Sequence, residues 1–210
     1  VHIDVFHDTA CPWCRIGKKN LFDALEAWDG LPVSLAFRTF FLNPNVPEGG
    51  VDFATYMNDT KGVPLESMFE GPRRMGEEAG LTFNFEALSI APNTVLSHRM
   101  IALTPDEKTL GVIDAIYAAY FEHGRNISTL ETLLTIAEEQ GLDVDAMRTQ
   151  LESDAALERV MTEYQQAQQI GITGVPAFVV GQKYLVTGAQ PPEFWRQALP
   201  QMQAELAATE

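Results

Sequence analysis

Positive charge and thiols are both scarce in this chain. Fourteen Lys and Arg stand against 29 Asp and Glu in 210 residues, a formal net charge of −15, with an isoelectric point near 4.6. Phosphate backbones are bound by clustered Lys and Arg, so no nucleic-acid partner is expected. The acidic residues are scattered along helix-like segments and read as a solvated, self-repelling surface. No apolar run approaches the roughly 20 residues that cross a bilayer, so no membrane partner is expected. The opening Val1-His2-Ile3-Asp4 is not a basic stretch leading into an apolar one, so no signal peptide is read. Two cysteines cannot build the disulfide scaffold of a small secreted protein. A cytoplasmic location fits these absences; a processed periplasmic protein would read the same way. No internal repeat or low-complexity segment is present.

What is present is a hydrophobic fraction of 46%, enough for a real core, and the two cysteines in one motif, Cys11-Pro12-Trp13-Cys14. The motif lies between a strand-like run, Val1 to Phe6, and a helix-like run, Arg15 to Trp28. Two sulfurs at this spacing can pair with little backbone movement. At a helix N-terminus the dipole and free N–H groups favour the thiolate of the first, which is expected to face solvent there. Arg15, Lys18 and Lys19 add positive charge to the segment, and Asp8 opposes them. The expected chemistry is thiol–disulfide exchange, with Cys11 attacking and Cys14 resolving. The competing reading is a two-ligand metal half-site or a pair of inert thiols. Zinc takes about four ligands, and His2, His7, His98 and His123 show no paired spacing with the cysteines. The strand–turn–helix setting favours redox chemistry.

Val1, Ile3 and Val5 alternate with His2, Asp4 and Phe6 as in a strand with one inner face. Pro12 suits a first helical turn, where its missing N–H costs nothing. Ile16, Leu21, Leu25 and Trp28 give the helix an apolar stripe that Asp29-Gly30 and Leu31-Pro32 end. Val33 to Leu42 reads as a second strand, implying parallel pairing through a right-handed crossover. From Val51 to about Ile170 the chain reads as helices broken at Gly62-Val63-Pro64, Gly71-Pro72, Ala91-Pro92, Thr104-Pro105, Gly124 and Gly141. Ser128 and Glu131 have capping-box spacing, and the alternating Leu81 to Phe85 reads as extended. Ala177 to Val180 and Tyr184 to Val186 form a hairpin about Gly181-Gln182-Lys183, and a helix from Pro192 to Ala208 follows. The predicted fold is α/β: β-α-β, a helical block, then β-β-α, with residues 1–45 and 171–210 as one domain and 46–170 as an all-α insertion.

A second motif is Ile172-Thr173-Gly174-Val175-Pro176-Ala177-Phe178, where a cis X–Pro bond could turn the chain just before a strand. With the dithiol it makes the chain resemble the thioredoxin superfamily, and within it the DsbA-like branch. The segments Asp8-Thr9-Ala10-Cys11-Pro12-Trp13-Cys14, Gly124-Arg125-Asn126-Ile127-Ser128 and Gly188-Ala189-Gln190-Pro191-Pro192 are similar to FrnE-like proteins. Those are related to 2-hydroxychromene-2-carboxylate isomerases and kappa-class glutathione transferases.

The resemblance implies a thioredoxin fold with a helical insertion and a dithiol–disulfide oxidoreductase or disulfide isomerase. Its substrates would be protein or peptide disulfides and dithiols. Cys11 would be the exposed nucleophile and Cys14 its buried partner. Pro176 would be a cis-proline beside them, and Val175 would pair its backbone with an extended substrate. Pro12 and Trp13 would add substrate contacts, and Trp13 would also set redox poise. No metal or resident cofactor is implied; glutathione enters as a co-substrate, and the chain as a monomer or weak dimer. The isomerase and transferase relatives typically carry serine where Cys11 stands. Their chemistry, a glutathione-dependent isomerase or transferase on small aromatic molecules, is the alternative. Thioredoxins keep a buried acid six residues before the nucleophile; Val5 stands there, leaving Asp4 or Asp8 as the proton acceptor for Cys14. Asn93, Thr94 and His98 are candidates to line the groove, with Asn93 as a helix cap and His98 as an ordinary surface or core residue the preferred reading. Phe37, Phe40 and Phe41 read as core, as do Met68, Met75, Met100, Met147 and Met161, although the methionines could also offer clients an adaptable surface.

Overall fold

The computed structural model describes residues 1–26, 28–61 and 65–208, without the side chains of residues 58–61 and 65–67. Gly62-Val63-Pro64 lies outside the described residues. The chain opens with β1 (His2–His7), α1 (Pro12–Glu26) and β2 (Ser34–Thr39). A short strand pair, β3 (Val51–Asp52) and β4 (Ile90–Ala91), encloses α2 (Phe53–Lys61) and α3 (Leu65–Glu78). Five helices follow: α4 (Val95–Leu103), α5 (Asp106–Phe121), α6 (Leu130–Glu139), α7 (Val144–Glu152) and α8 (Leu157–Gln169). The chain then returns with β5 (Ala177–Val180), β6 (Tyr184–Thr187) and α9 (Pro192–Ala207).

The four long strands form one sheet in the order β2-β1-β5-β6. β1 pairs parallel with β2, from His2 opposite Ser34 to His7 opposite Thr39, and antiparallel with β5, from Ile3 opposite Val180 to Phe6 opposite Ala177. This is the thioredoxin arrangement interrupted by helices. Period-two alternation sends the two sets of β1 side chains to opposite faces. Ile3 and Val5 join Leu21 and Ala24 of α1, Phe178 and Val180 of β5, and Trp195 and Leu199 of α9 in one core. Phe6 faces the other way, with Phe40, Ile172, Ala177 and Ala167. α8 falls on the helical side of the expected boundary, yet its Ala167 and Tyr164 pack directly under the sheet. The remaining helices gather a separate core that includes Met100, Ile113, Ile116, Tyr117, Phe121, Leu133 and Ile136, and that also takes in Cys11, Cys14 and Ile16.

Four readings are corrected. β2 stops at Thr39, not Leu42, because its partner β1 ends at His7; Phe40 adds one bond to the His7 carbonyl and the chain then turns, with Phe40 and Phe41 buried. Leu81 to Phe85 is not a strand. Its alternation arises because Phe83 and Phe85 both enter an aromatic stack, Phe85 lying 4.1 Å from Phe69 and 5.0 Å from Phe83, and a 3-10 turn begins at Phe85. Gly71-Pro72 does not break α3, which runs through Pro72. The helix forgoes one backbone bond there while Phe69 and Met75, either side of the proline, pack on the helical core. The cap of α6 is Thr129, whose hydroxyl accepts from Thr132 N, one place beyond Ser128; Ser128 is held instead by Asn126. The last hairpin turns as expected, with Gly181 and Gln182 both at positive φ (56° and 57°).

Candidate active site

Cys11 is the last residue before α1. Its N–H donates to the Asp8 carbonyl at 3.1 Å, and its own carbonyl accepts from Cys14 N at 3.1 Å and Arg15 N at 3.4 Å. Cys14 therefore lies one turn into the helix, and both thiols are free. Across a gap of 164 residues the chain returns at the Val175–Pro176 bond, which is cis. There the Val175 carbonyl lies 3.6 Å from the Cys11 sulfur. Gly17 permits this closeness: a β-carbon at residue 17 would stand 2.9 Å from Pro176 Cγ and 3.3 Å from Phe178 Cζ.

The solvent-facing Cys11 expected from the sequence is not found. Cys11 is only 2% exposed, as is Cys14. Cys11 lines a cavity of about 260 Å³, roofed by Leu42, Val46, Tyr56, Met68, Phe69 and Leu88. Those groups come from the loop after β2 and from the segment around α2 and α3, which fold over the start of α1. Pro12, Trp13 and Val175 line the same cavity. Trp13 packs between the core and α3, where a β-carbon on Gly71 would come within 3.3 Å of the indole. Sequence reasoning did not find Tyr56, Phe69 or Tyr120 as lining residues, because they are brought in from scattered places and carry no local motif.

Burial, first, and then its hydrogen bond with Cys11 push the Cys14 thiol well above its ordinary range. Asp8 acts on it in both senses: its backbone favours the thiolate and its carboxylate charge disfavours it. Of the two acids considered from the sequence, only Asp8 is at the site. It is 2% exposed, with Oδ1 accepting from Ala10 N at 3.2 Å and Oδ2 from Leu42 N at 2.7 Å. Asp4 is spent on Arg38, at 2.7 Å, on the far side of the sheet. Tyr117, buried beneath the pair, is raised well above its usual value by burial and then by the cysteines. The cations of α1 do not surround Cys11. Lys18 holds both oxygens of Asp114 at 2.8 Å, Arg15 binds the Thr82 carbonyl and Glu122, and Lys19 pairs with Asp23. Lys18 and Arg15 tie α1 to the helical region instead.

Asn93 accepts from Val95 N at 3.0 Å and donates to the Val46 carbonyl at 2.6 Å, fastening the start of α4 to the cavity roof. Thr94 is the residue before the helix and makes no side-chain cap. His98 is buried away from the cavity that holds Cys11. Met100 and Met147 are core, Met68 lines the cavity, and Met161 is exposed. Among the described residues no group of three or more His, Cys, Asp or Glu could hold a metal ion. No helix described is long and apolar enough to cross a membrane.

A dithiol at a helix start, its first cysteine lining a mostly apolar cavity with its sulfur against a backbone carbonyl, can exchange with another disulfide. The chain is similar to known proteins over nearly its whole length. The uncharacterized protein YwbO of Bacillus subtilis (strain 168) is 28% identical over 204 residues, covering 95% of this chain and 96% of that protein. The solved structure of a probable DsbA oxidoreductase from Streptomyces coelicolor superposes with a TM-score of 0.90 at 29% identity, covering 97% of this chain and 90% of that one. The cytosolic disulfide reductase DsbM of Pseudomonas aeruginosa, solved with glutathione, shares the fold with a TM-score of 0.63 at 18% identity, over 100% of this chain and 98% of that one. Residues 2–200 match the model of the DSBA-like thioredoxin domain, and the chain belongs to that family of oxidoreductases.

Proposed function

We propose that this protein is a dithiol–disulfide oxidoreductase for protein or peptide substrates, with Cys11 as nucleophile and Cys14 as resolving thiol. The observation that carries this reading is Cys11 in the lining of this cavity with its sulfur 3.6 Å from the Val175 carbonyl. A substrate strand laid beside Val175 and Pro176 would present its own sulfur to Cys11, with Pro12 and Trp13 as flanking contacts. Attack forms a mixed disulfide. Cys14 then gives up its proton, with Asp8 as acceptor, and displaces the substrate thiol. The reverse sequence oxidises a substrate dithiol. Direction is set by the potential of the couple against its surroundings, where about 30 mV is worth roughly 1.4 kcal/mol.

The place of Cys14 one turn into α1, with Cys11 at the helix start, supports its role as the second sulfur. Its raised pKa keeps it protonated until the mixed disulfide has formed. In assays with a peptide disulfide, Cys11→Ser is expected to abolish turnover and Cys14→Ser to accumulate mixed disulfides, read by non-reducing mass spectrometry. Undiminished turnover in Cys11→Ser sinks the mechanism.

One observation favours a second reading. A cavity of about 260 Å³ with Phe53, Tyr56, Phe69 and Tyr120 on its walls is narrow for a folded client and suits glutathione chemistry on a small aromatic molecule. That reading requires saturable glutathione binding and activity that survives Cys14→Ala.

A further inference from the structure

Behind the dithiol lies a second cavity, of about 490 Å³, between β2, α4, α5 and α8. It shares no lining residue with the cavity that holds Cys11. His7 and His98 are both at its floor. An imidazole buried in a protein interior is costly unless its nitrogens are satisfied. His7 meets that condition: its Nδ1 shares a hydrogen bond with Tyr117 Oη at 2.9 Å, and burial, then His98 and Lys18, lower its pKa well below 6.5. His98 does not. Its side chain is 1% exposed, and its Nε2 makes no hydrogen bond and lies 3.7 Å from Asp8 Oδ1.

Asp8 is the carboxylate that acts on Cys14, through its backbone and its charge. Cys14, Asp8 and His98 therefore form a buried line from the sulfurs to a cavity bearing polar and charged side chains. At the resolving step the substrate would occupy the Cys11 cavity, whose lining is mostly apolar. The cavity behind β2 stays free.

We propose that His98 is the positioning and proton-transfer partner of Asp8 in the resolving step, so that the Cys14 proton leaves by way of Asp8 and His98 through the cavity behind β2. The inference rests on the assignment of Cys11 and Cys14 above. In this step Cys14 Sγ attacks Cys11 Sγ of the mixed disulfide. The Cys11–Cys14 bond forms and the Cys11–substrate bond breaks, its electron pair leaving on the substrate sulfur as thiolate. Two electrons have then passed from the dithiol to the substrate disulfide, and no further oxidant enters. The Cys14 proton moves to the Asp8 carboxylate, then to His98 Nε2, and out to solvent. The titratable groups facing His98 are Asp8 from the β1–α1 turn and His7 from β1, with Tyr117 of α5 behind His7, and the Phe41 ring packs edge-on against it. Around the cavity stand Arg38 of β2, Asp106 of α5, and Arg159 and Glu163 of α8.

Dithiodipyridine, a neutral aromatic disulfide, separates the two steps in a stopped-flow experiment. Attack by Cys11 releases one thiopyridone, and resolution by Cys14 releases a second. His98→Gln is expected to slow the second phase by about tenfold or more, against the roughly hundredfold that a positioned acceptor in direct contact contributes, and to flatten its pH dependence. The first phase should stay within about twofold. Equal slowing of both phases, or an unchanged second phase, overturns the proposal. The unmodified protein gives an independent check, since its second phase should show the larger solvent isotope effect in heavy water; equal effects on both phases also overturn it. Failure of the underlying reading looks different: Cys14→Ser would then retain no thiopyridyl group on Cys11.

Discussion

The sheet core and the helical core divide the labour of this protein unevenly. The first, built from β1, β5, α1 and α9, holds Trp195 in full burial, 4.8 Å from Phe178 in edge-to-face contact, and contains no sulfur of the dithiol. The second contains both cysteines, the aromatic stack and most of the cavity wall. α1 belongs to both: Leu21 and Ala24 face the sheet, Cys14 and Ile16 the helices. The difference teaches that the strand–helix–strand frame aims the motif and the helices decide what reaches it. Stability should therefore be lost most heavily in the first core, and sulfur accessibility altered most readily in the second.

Trp195→Ala is the most severe way to test that division. Removing a fully buried indole should cost about 3–5 kcal/mol, read by chemical denaturation, while molecules that remain folded keep their rate of Cys11 alkylation. A large change in that rate would join the two cores functionally. Met68→Ala works from the other side. Met68 is half-buried on the cavity wall, so about 1 kcal/mol or less of stability should go, but alkylation of Cys11 by iodoacetamide should speed up several-fold. The mildest test is pH. His7 is buried neutral, so below its ordinary pKa of 6.5 the unfolded chain binds a proton that the folded one refuses. Stability should be level between about pH 7 and 8 and decline as pH falls through 6.5. His7→Gln should flatten that decline in thermal melts across the same range.

The frame was legible because its signals are local. The alternation of Val1 to Phe6, the apolar stripe after Pro12 and the Gly181-Gln182 turn each lie within a few residues of what they specify. The dithiol was legible for the same reason. The burial of Cys11 was not, because its roof is assembled from Leu42, Tyr56, Met68 and Leu88, which no spacing rule connects. Which of the two acids lies at the site was hidden likewise: residues 4 and 8 look equivalent until the register of β1 turns Asp4 toward Arg38. In α3 the local rule that proline ends a helix was outweighed by apolar packing on both sides of Pro72. At Thr129 a single-residue slip separated two caps of almost equal merit.

Gly17 bears on any attempt to redesign the protein. With no room for even one carbon between residue 17 and Pro176, the base of the site has zero clearance, and segments from opposite ends of the chain are gauged against each other there. Gly17→Ala would shift the Val175 carbonyl together with the proline ring, so breadth cannot be added from below. A version remodelled for bulkier substrates would have to be cut from the ceiling, at Tyr56, Met68 or Leu88, leaving the floor as the fixed datum.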